Sequence, residues 1–420
     1  MNDMKPFNFL YIFIVAATLL TTISCSSNTD EPSGIKYEKI QLTPTEEQIT
    51  IEGNTFAFNL FKALNEGREN ENTFISPYSL AQVLAMLANG AQGETYDEIV
   101  KVLGISHDIT EVNNYYKHLR DALPRCAPKT EISTSNFFVY DNDVTIFDDF
   151  MKTCTEYYGT GFKSADFGSS DAIDIVNKWV SNATSGKIPF LFSNPSSISG
   201  FCVLNATYFD GWWANPFDKK DTHNNIFHNY KNISESVPMM YQDLSLEHYT
   251  DSDYVSLLKI PYYSRNFEMD ILLPNRDIDI NEYISELNLD DFNYMLDNAS
   301  TNSERSTYTI GLPKFSGKFN YDMTAILRKM GIEKAFFPGA EFGNITTKKI
   351  TAANTRQSTI IEVDEHGTKA VAASEATDEL ISVHWNEFIV DSPFIYIIRE
   401  CSSGAILFIG KTVSIKQFSY

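Results

Sequence analysis

Two runs near the carboxyl end, Phe394 to Arg399 and Ala405 to Ile409, are apolar on almost every consecutive position and flank Cys401-Ser402-Ser403-Gly404. A strand with one face in water alternates apolar with polar residues, whereas an apolar run without alternation is covered on both faces. The pair reads as a hairpin, and such a hairpin has to lie between other layers of the fold. Material for those layers comes earlier in the chain. Leu80, Val83, Leu84 and Leu87 recur at helical spacing and stop at Gly90; Tyr96, Ile99, Val100 and Leu103 repeat the pattern between Thr95, a candidate cap, and Gly104. Thr45 is placed to cap a preceding helix bearing Ala57, Leu60, Phe61 and Leu64, and Met323, Ile326, Leu327 and Met330 mark another between Asp322 and Gly331. Phe267, Met269, Ile271 and Leu273 alternate with Glu268 and Asp270, a half-buried strand that the run Tyr254 to Ile260 joins as a second hairpin. Helices interleaved with strands, without an internal repeat, predict one large α+β domain. Hydrophobic residues at 43% and aromatics at 13% of 420 positions are enough for its core.

Ahead of this domain, Lys5 precedes an apolar stretch from Phe7 to Leu20 and then Thr21-Thr22-Ile23-Ser24-Cys25. A spanning helix takes about 20 apolar residues, so the shorter stretch reads as a cleaved export signal. Small residues before a lone cysteine resemble the lipobox of bacterial lipoproteins, with Thr22 where Leu is usual. That resemblance implies a signal peptide over 1–24, a lipid on Cys25, a polar tether over 25–44 and a folded domain over 45–420. The mature protein is then exported and anchored in the bacterial envelope or on the cell surface, facing periplasm or exterior.

A net charge of −22 argues against nucleic acid, whose binding needs Lys and Arg to displace counterions. Lys117, Arg120, Arg125 and Lys129 form a modest basic cluster that reads as a solvated helix face. Cys126, Cys154, Cys202 and Cys401 have no metal-like spacing and the seven histidines are scattered, so neither metal nor cofactor is expected. There is no GxSxG, no HExxH and no phosphate-binding glycine loop, which speaks against an enzyme.

The segment Glu365 to Ala376 has Thr368, Ala370, Ala372, Ser374 and Ala376 on alternate positions, all small, with Lys369, Val371, Ala373 and Glu375 between them. As an extended strand it has one small face and one mixed face. Taken alone it is either a linker or a strand that enters a packed sheet.

Seven segments, in order, resemble the serpin family. Asn72-Thr73-Phe74-Ile75-Ser76-Pro77-Tyr78-Ser79-Leu80 and Leu84 to Thr95 are similar to the segment that opens and continues the helix buried under the main sheet. Val176-Asn177-Lys178-Trp179-Val180 with Thr184 to Ile188 resembles the helix and turn across the sheet's face. Leu204-Asn205-Ala206-Thr207-Tyr208-Phe209, followed by Trp213 and Pro216-Phe217, resembles the central strand and the Trp at its top. Leu312-Pro313-Lys314-Phe315, Asp391-Ser392-Pro393-Phe394 and Gly404 to Lys411 complete the series. The resemblance implies a serpin-like α+β fold with three β-sheets, about eight or nine helices and an exposed reactive-centre loop over about 365–387.

It also implies a function: a suicide-substrate inhibitor, monomeric, whose loop is cleaved by a serine protease, or a cysteine protease as a second class, and enters the main sheet while esterified to the protease. The hinge is then Glu365, Gly367, Thr368, Ala370, Ala372, Ser374 and Ala376. Family spacing puts the scissile bond at Ile381-Ser382 counted from Glu365, or at Ser382-Val383 counted from Pro393. Aliphatic residues there, including Leu380, suit elastase-, chymotrypsin- or subtilisin-like pockets. Asn72, Ser76, Ser79 and Asn205 match shutter residues, Trp213 the breach, and Gln357 replaces a usual shutter His. Asp378 falls on the inward register, where a buried carboxylate is costly. The competing reading is a non-inhibitory member acting as chaperone or ligand carrier.

Overall fold

The structure is a computed structural model that describes residues 38–126, 129–167, 169–183, 186, 200–244, 246–251, 254–301, 308–368 and 387–418. In chain order, helix α1 (Pro44–Asn65), strand β1 (Thr73–Ile75), α2 (Pro77–Gly90), α3 (Gly93–Leu103) and α4 (Ile109–Ala122) come first. Next are β2 (Thr130–Asp141), α5 (Asp148–Tyr158), β3 (Gly161–Ala165), α6 (Asp171–Ala183) and β4 (Phe201–Trp212). The strands β5 (Thr222–His228), β6 (Ser234–Leu244), β7 (Glu247–Asp251), β8 (Val255–Pro261) and β9 (Phe267–Pro274) lead to α7 (Ile280–Glu286) and α8 (Leu289–Asp297). Then come β10 (Ser300–Thr301), β11 (Tyr308–Pro313), β12 (Phe315–Asp322), α9 (Thr324–Met330) and β13 (Ala352–Val363). The chain finishes with β14 (Gly367–Thr368), β15 (Glu387–Ile389), β16 (Phe394–Glu400) and β17 (Ile406–Thr412).

These strands form three sheets. One has seven strands, β1-β17-β16-β9-β8-β7-β10; one has four, β15-β11-β6-β5; one has six, β12-β13-β14-β4-β2-β3. With nine α-helices among the described residues, this is the α+β fold with three sheets that the sequence implies. The opening hairpin is now explained: every residue of β16 and β17 is buried. Helix α2 packs against β17 from one side, and almost all of its residues are buried too. Each fully buried Leu or Ile in such a layer contributes about 1.5–3 kcal/mol.

Helix ends differ in detail from the sequence reading. Thr43, not Thr45, caps α1: its side chain accepts the Glu46 amide while the Glu46 carboxylate accepts the Thr43 amide, and Pro44 fills the first helical position. Proline needs no amide partner there, which moves the start back by two residues. Thr95 is no cap either. It lies inside α3, buried, and its hydroxyl accepts the Glu341 amide at 3.0 Å. The glycine stops hold, with Gly104 at φ 70° and Gly331 at φ 117°.

Two hydrophobic clusters result. The larger runs through all three sheets, whereas the smaller joins Val176 and Val180 of α6 to Val139, Leu204, Ala206 and Ile360 on the six-stranded sheet. Trp179 of α6 stacks on Phe137 of β2 at 4.8 Å. In the basic cluster, Lys117 pairs with Glu156, Arg120 with Asp121, and Lys129 lies over the rings of Trp212 and Tyr263. Cys126, Cys154 and Cys202 are buried and, like Cys401, free. No helix among the described residues is long and apolar enough to cross a membrane.

Candidate functional site: a forked sheet and its hinge

Strands β13 and β4 are parallel neighbours over most of their length, with Thr355 opposite Val203 and Ile360 opposite Tyr208. Above that level they part. The gap holds the two residues of β14, antiparallel to both: Thr368 faces Val363 on one side and Gly211 on the other, and Gly367 faces Trp212. A parallel pair with an antiparallel strand wedged into one end is a sheet forked at its top.

Sterics explain the sequence at the fork. A Cβ on Gly367 would overlap the carbonyl oxygen of Gly211 and stand 2.7 Å from the Cα of Trp212, so only glycine permits this approach. Thr368 is fully enclosed and its hydroxyl meets the Tyr262 hydroxyl at 2.8 Å. Trp213, also fully buried, stacks on Tyr262 at 4.7 Å. Its backbone amide donates to His366 O at 2.9 Å and its indole to Asp364 O at 3.0 Å. The Trp therefore anchors the turn before β14 from two directions.

Glu365 closes the cluster. Its carboxylate accepts from the Lys314 ammonium at 2.7 Å and from the Thr222 hydroxyl at 2.9 Å, while its carbonyl accepts the Phe217 amide. Burial disfavours the Glu365 charge, but Lys314, its own backbone and Thr222 outweigh burial and hold the pKa below the usual carboxylate range. Neighbouring Asp364 goes the other way, raised by burial despite hydrogen bonds from the His366 and Gly367 amides.

A second polar cluster lies lower, where α2 meets the β13–β4 seam. Gln357 accepts the Ser76 amide at 3.0 Å and donates to Ser76 O at 2.8 Å and to the Ser79 hydroxyl at 3.1 Å. Ser79 donates to Asn205 Oδ1 at 2.7 Å, and Asn205 donates on to Asn136 at 2.8 Å. Ser76, Ser79, Asn205 and Gln357 are all solvent-free, so this network is satisfied internally. Asn72 is not part of it. Its side chain accepts the Val413 and Ser414 amides and donates to Ser414 O, tying β1 to the chain after β17, because it precedes the buried turn by four residues.

Of the residues singled out from sequence, the structure thus groups Glu365, Gly367, Thr368 and Trp213 at the fork and Ser76, Ser79, Asn205 and Gln357 at the seam. Sequence reasoning missed Tyr262, Thr222 and Asn136; Lys314 was noticed only as part of a motif, and no local pattern ties any of them to the hinge. Cys25, Ala370, Ala372, Ser374, Ala376, Asp378, Ile381, Ser382 and Val383 lie outside the described residues.

Comparison with known proteins agrees with this architecture. Iripin-3 of Ixodes ricinus is 29% identical over 413 residues, covering 95% of this chain and 98% of that protein. Leukocyte elastase inhibitor of Sus scrofa is 29% identical over 379 residues, 88% of this chain and all of that one. Human thyroxine-binding globulin, solved in complex with thyroxine, superposes with a TM-score of 0.81 at 28% identity, covering 88% of this chain and 99% of its own. The family model described as serpin (serine protease inhibitor) matches residues 52–415, and curated relatives are named as protease inhibitors, not as enzymes. The chain belongs to the serpin family.

Proposed function

We propose that this protein is a suicide-substrate inhibitor of serine endopeptidases with elastase-, chymotrypsin- or subtilisin-like pockets, with cysteine proteases as a second target class. One observation carries the reading: the fork between β13 and β4 already holds Gly367 and Thr368 as the first residues of an extra central strand. In this scheme the target's serine hydroxyl adds to the carbonyl of Ile381, the Ser382 amine leaves with a proton, and an ester joins the two proteins. Ser382-Val383 is the alternative bond. Strand insertion then carries the ester-linked protease away before water resolves it, which requires a native state trapped above a more stable inserted one. No cofactor takes part.

The same reading treats residues 1–24 as an export signal, Cys25 as a lipid site, 25–44 as a tether and 45–420 as a monomeric inhibitor domain of a bacterial envelope protein. Labelled palmitate incorporated into wild type but not into Cys25→Ser tests the anchor.

The decisive experiment mixes the protein with pancreatic elastase, chymotrypsin and subtilisin. A denaturation-resistant complex, and a large rise in melting temperature on loop cleavage, are expected; cleavage with neither outcome would overturn the inhibitor. A second reading, ligand carrier, has one observation of its own. A surface groove of about 370 Å³ between α1, α8 and the β16–β17 turn is lined by Ile51, Leu289, Phe292, Leu296 and Arg399. Since thyroxine-binding globulin was solved with thyroxine, fluorescence titration with that hormone separates the two readings.

A further inference from the structure

Glu268 and Asp270 are the polar positions of β9, and a half-buried strand turns such positions to water. Asp270 is instead fully enclosed. Directly opposed residues share a face, and the register sets Lys259 of β8 opposite Asp270 and Arg399 of β16 opposite Glu268. Arg399 donates from Nε to Asp270 Oδ2 at 2.7 Å and from Nη2 to Glu268 Oε2 at 2.6 Å. Lys259 pairs with Glu247 of β7 and lies 3.8 Å from Glu268.

The charges in this cluster do not balance. Three carboxylates, Glu247, Glu268 and Asp270, meet two cations, Lys259 and Arg399. Tyr262 and Cys401 also feel the Asp270 charge, and burial drives both toward their neutral forms. Glu400 is taken up by the amides and hydroxyls of Ser402 and Ser403. The deficit falls on Asp270: among the described residues nothing hydrogen-bonds its Oδ1. A buried carboxylate with one open oxygen and an excess of negative charge around it is costlier than the neutral acid. Burial pushes the Asp270 carboxyl up to about 6 against the pull of Arg399, with Glu268 adding to the rise.

The cluster also has a route to water. Arg399 lines the groove between α1, α8 and the β16–β17 turn, where α1 contributes Glu47 and α8 contributes Leu289, Phe292, Asn293 and Leu296, none of them charged. Tyr249, two residues from Glu247 and on the same face of β7, packs edge-on against Tyr294 of α8 at 6.0 Å, so α8 roofs this side of the sheet.

We propose that Asp270, Glu268 and Arg399 form a proton-binding site beneath α8, and that one proton entering through the groove tightens the resting protein as pH falls from neutral to mildly acid. Hydronium gives its proton to the Asp270 carboxylate, Arg399 keeps its bond to Oδ2, and two carboxylates are left facing two cations. A carboxyl whose folded pKa is raised contributes stability that is complete at low pH and lost as pH rises through the folded value. The sign is opposite to that of a carboxyl held low by its partners, such as Glu365, and the site depends on neither the inhibitory nor the carrier reading.

The test compares melting temperatures of the full chain at about pH 7.5 and about pH 5 for wild type, Asp270→Asn and Glu268→Gln. Between these conditions wild type should gain about 1–3 °C over Asp270→Asn, the shift that one proton gives in a chain this long. Glu268→Gln balances the charges and lets Asp270 stay ionised to lower pH, so its gain should be smaller than that of wild type. An unchanged wild-type response to pH in Asp270→Asn would overturn the site. Should that variant fail to fold, an undiminished response in Glu268→Gln would do the same.

Discussion

The Thr368 hydroxyl lies 2.8 Å from the Tyr262 hydroxyl, and neither is reached by solvent. A residue on the two-residue strand β14 is thereby bonded to the connection between β8 and β9, in a different sheet. Replacing it with Arg puts a long cation into a closed site, where it is both too large and unpaired. Thr368→Arg is expected to lose covalent complex formation with elastase while the loop is still cut, turning inhibitor into substrate. Thr368→Val keeps the volume and strands the Tyr262 hydroxyl, an expected loss of about 1–3 kcal/mol in native stability by denaturant titration.

Glu365 makes the fork acid-sensitive. Its folded pKa is held below the ordinary 4.5 by Lys314, its backbone and Thr222, in spite of burial. A carboxyl group with a depressed folded pKa contributes stability that is complete above about pH 4.5 and disappears as pH falls through the folded value. Melting temperatures followed from pH 7 to pH 3.5 should therefore fall less steeply for Glu365→Gln than for wild type, the variant being less stable at neutral pH. Parallel curves would remove Glu365 as the source of acid sensitivity.

Gln357 holds β13 to α2 through its carbonyl oxygen, which accepts the Ser76 amide, and its amide nitrogen, which donates to Ser76 O and the Ser79 hydroxyl, all buried. Gln357→Ala leaves the Ser76 amide and the Asn205 carbonyl oxygen with fewer partners in a dry environment. The expected cost is about 2–6 kcal/mol, two buried groups at about 1–3 kcal/mol each. Because the bonds cross the seam, the variant should also convert faster to a loop-inserted, inactive form on warming, measured as loss of elastase inhibition over time. His in place of Gln357 should retain more stability than Ala.

Asp378 tests the far end of insertion. Continued in the Thr368 register it reaches the level of Phe201, fully buried, beside the irregularity between Ala352 and Asn354. A carboxylate there works against the last steps. Asp378→Ala should lower the stoichiometry of inhibition toward one; no improvement would mean that the strand stops short of this point or that its end stays hydrated.

What sequence alone revealed follows the range over which each interaction acts. Helices α2, α3 and α9 and the hairpins β8–β9 and β16–β17 were legible because their periodicity and turn residues lie within a few positions of one another. The α1 start was misplaced by two residues because Pro44 and the Thr43–Glu46 box together outrank Thr45. Of the alternation of small side chains read in the sequence only Thr368, with Gly367 before it, is among the described residues, and the groups that hold the two were not legible. Tyr262, Thr222 and Lys314 come from three separate stretches of the chain and reach Thr368 and Glu365 only through the packing of three sheets. Nor does alternation disclose that Asn72 serves the carboxyl-terminal stretch instead of the Gln357 network.

The small patch beneath α6 has one further consequence. It straddles the seam, with Ile360 on β13 and Leu204 and Ala206 on β4, and it shares no residue with the main core. Admitting a strand between them widens that floor by one strand spacing, about 4.8 Å. Helix α6 is thus a clasp across a joint, fastened to both sides by greasy contacts that, under the proposed inhibitory function, have to let go during strand entry. If the strength of those few contacts limits how quickly the joint opens, trimming Val176 or Val180 should quicken strand entry even as it loosens the resting protein.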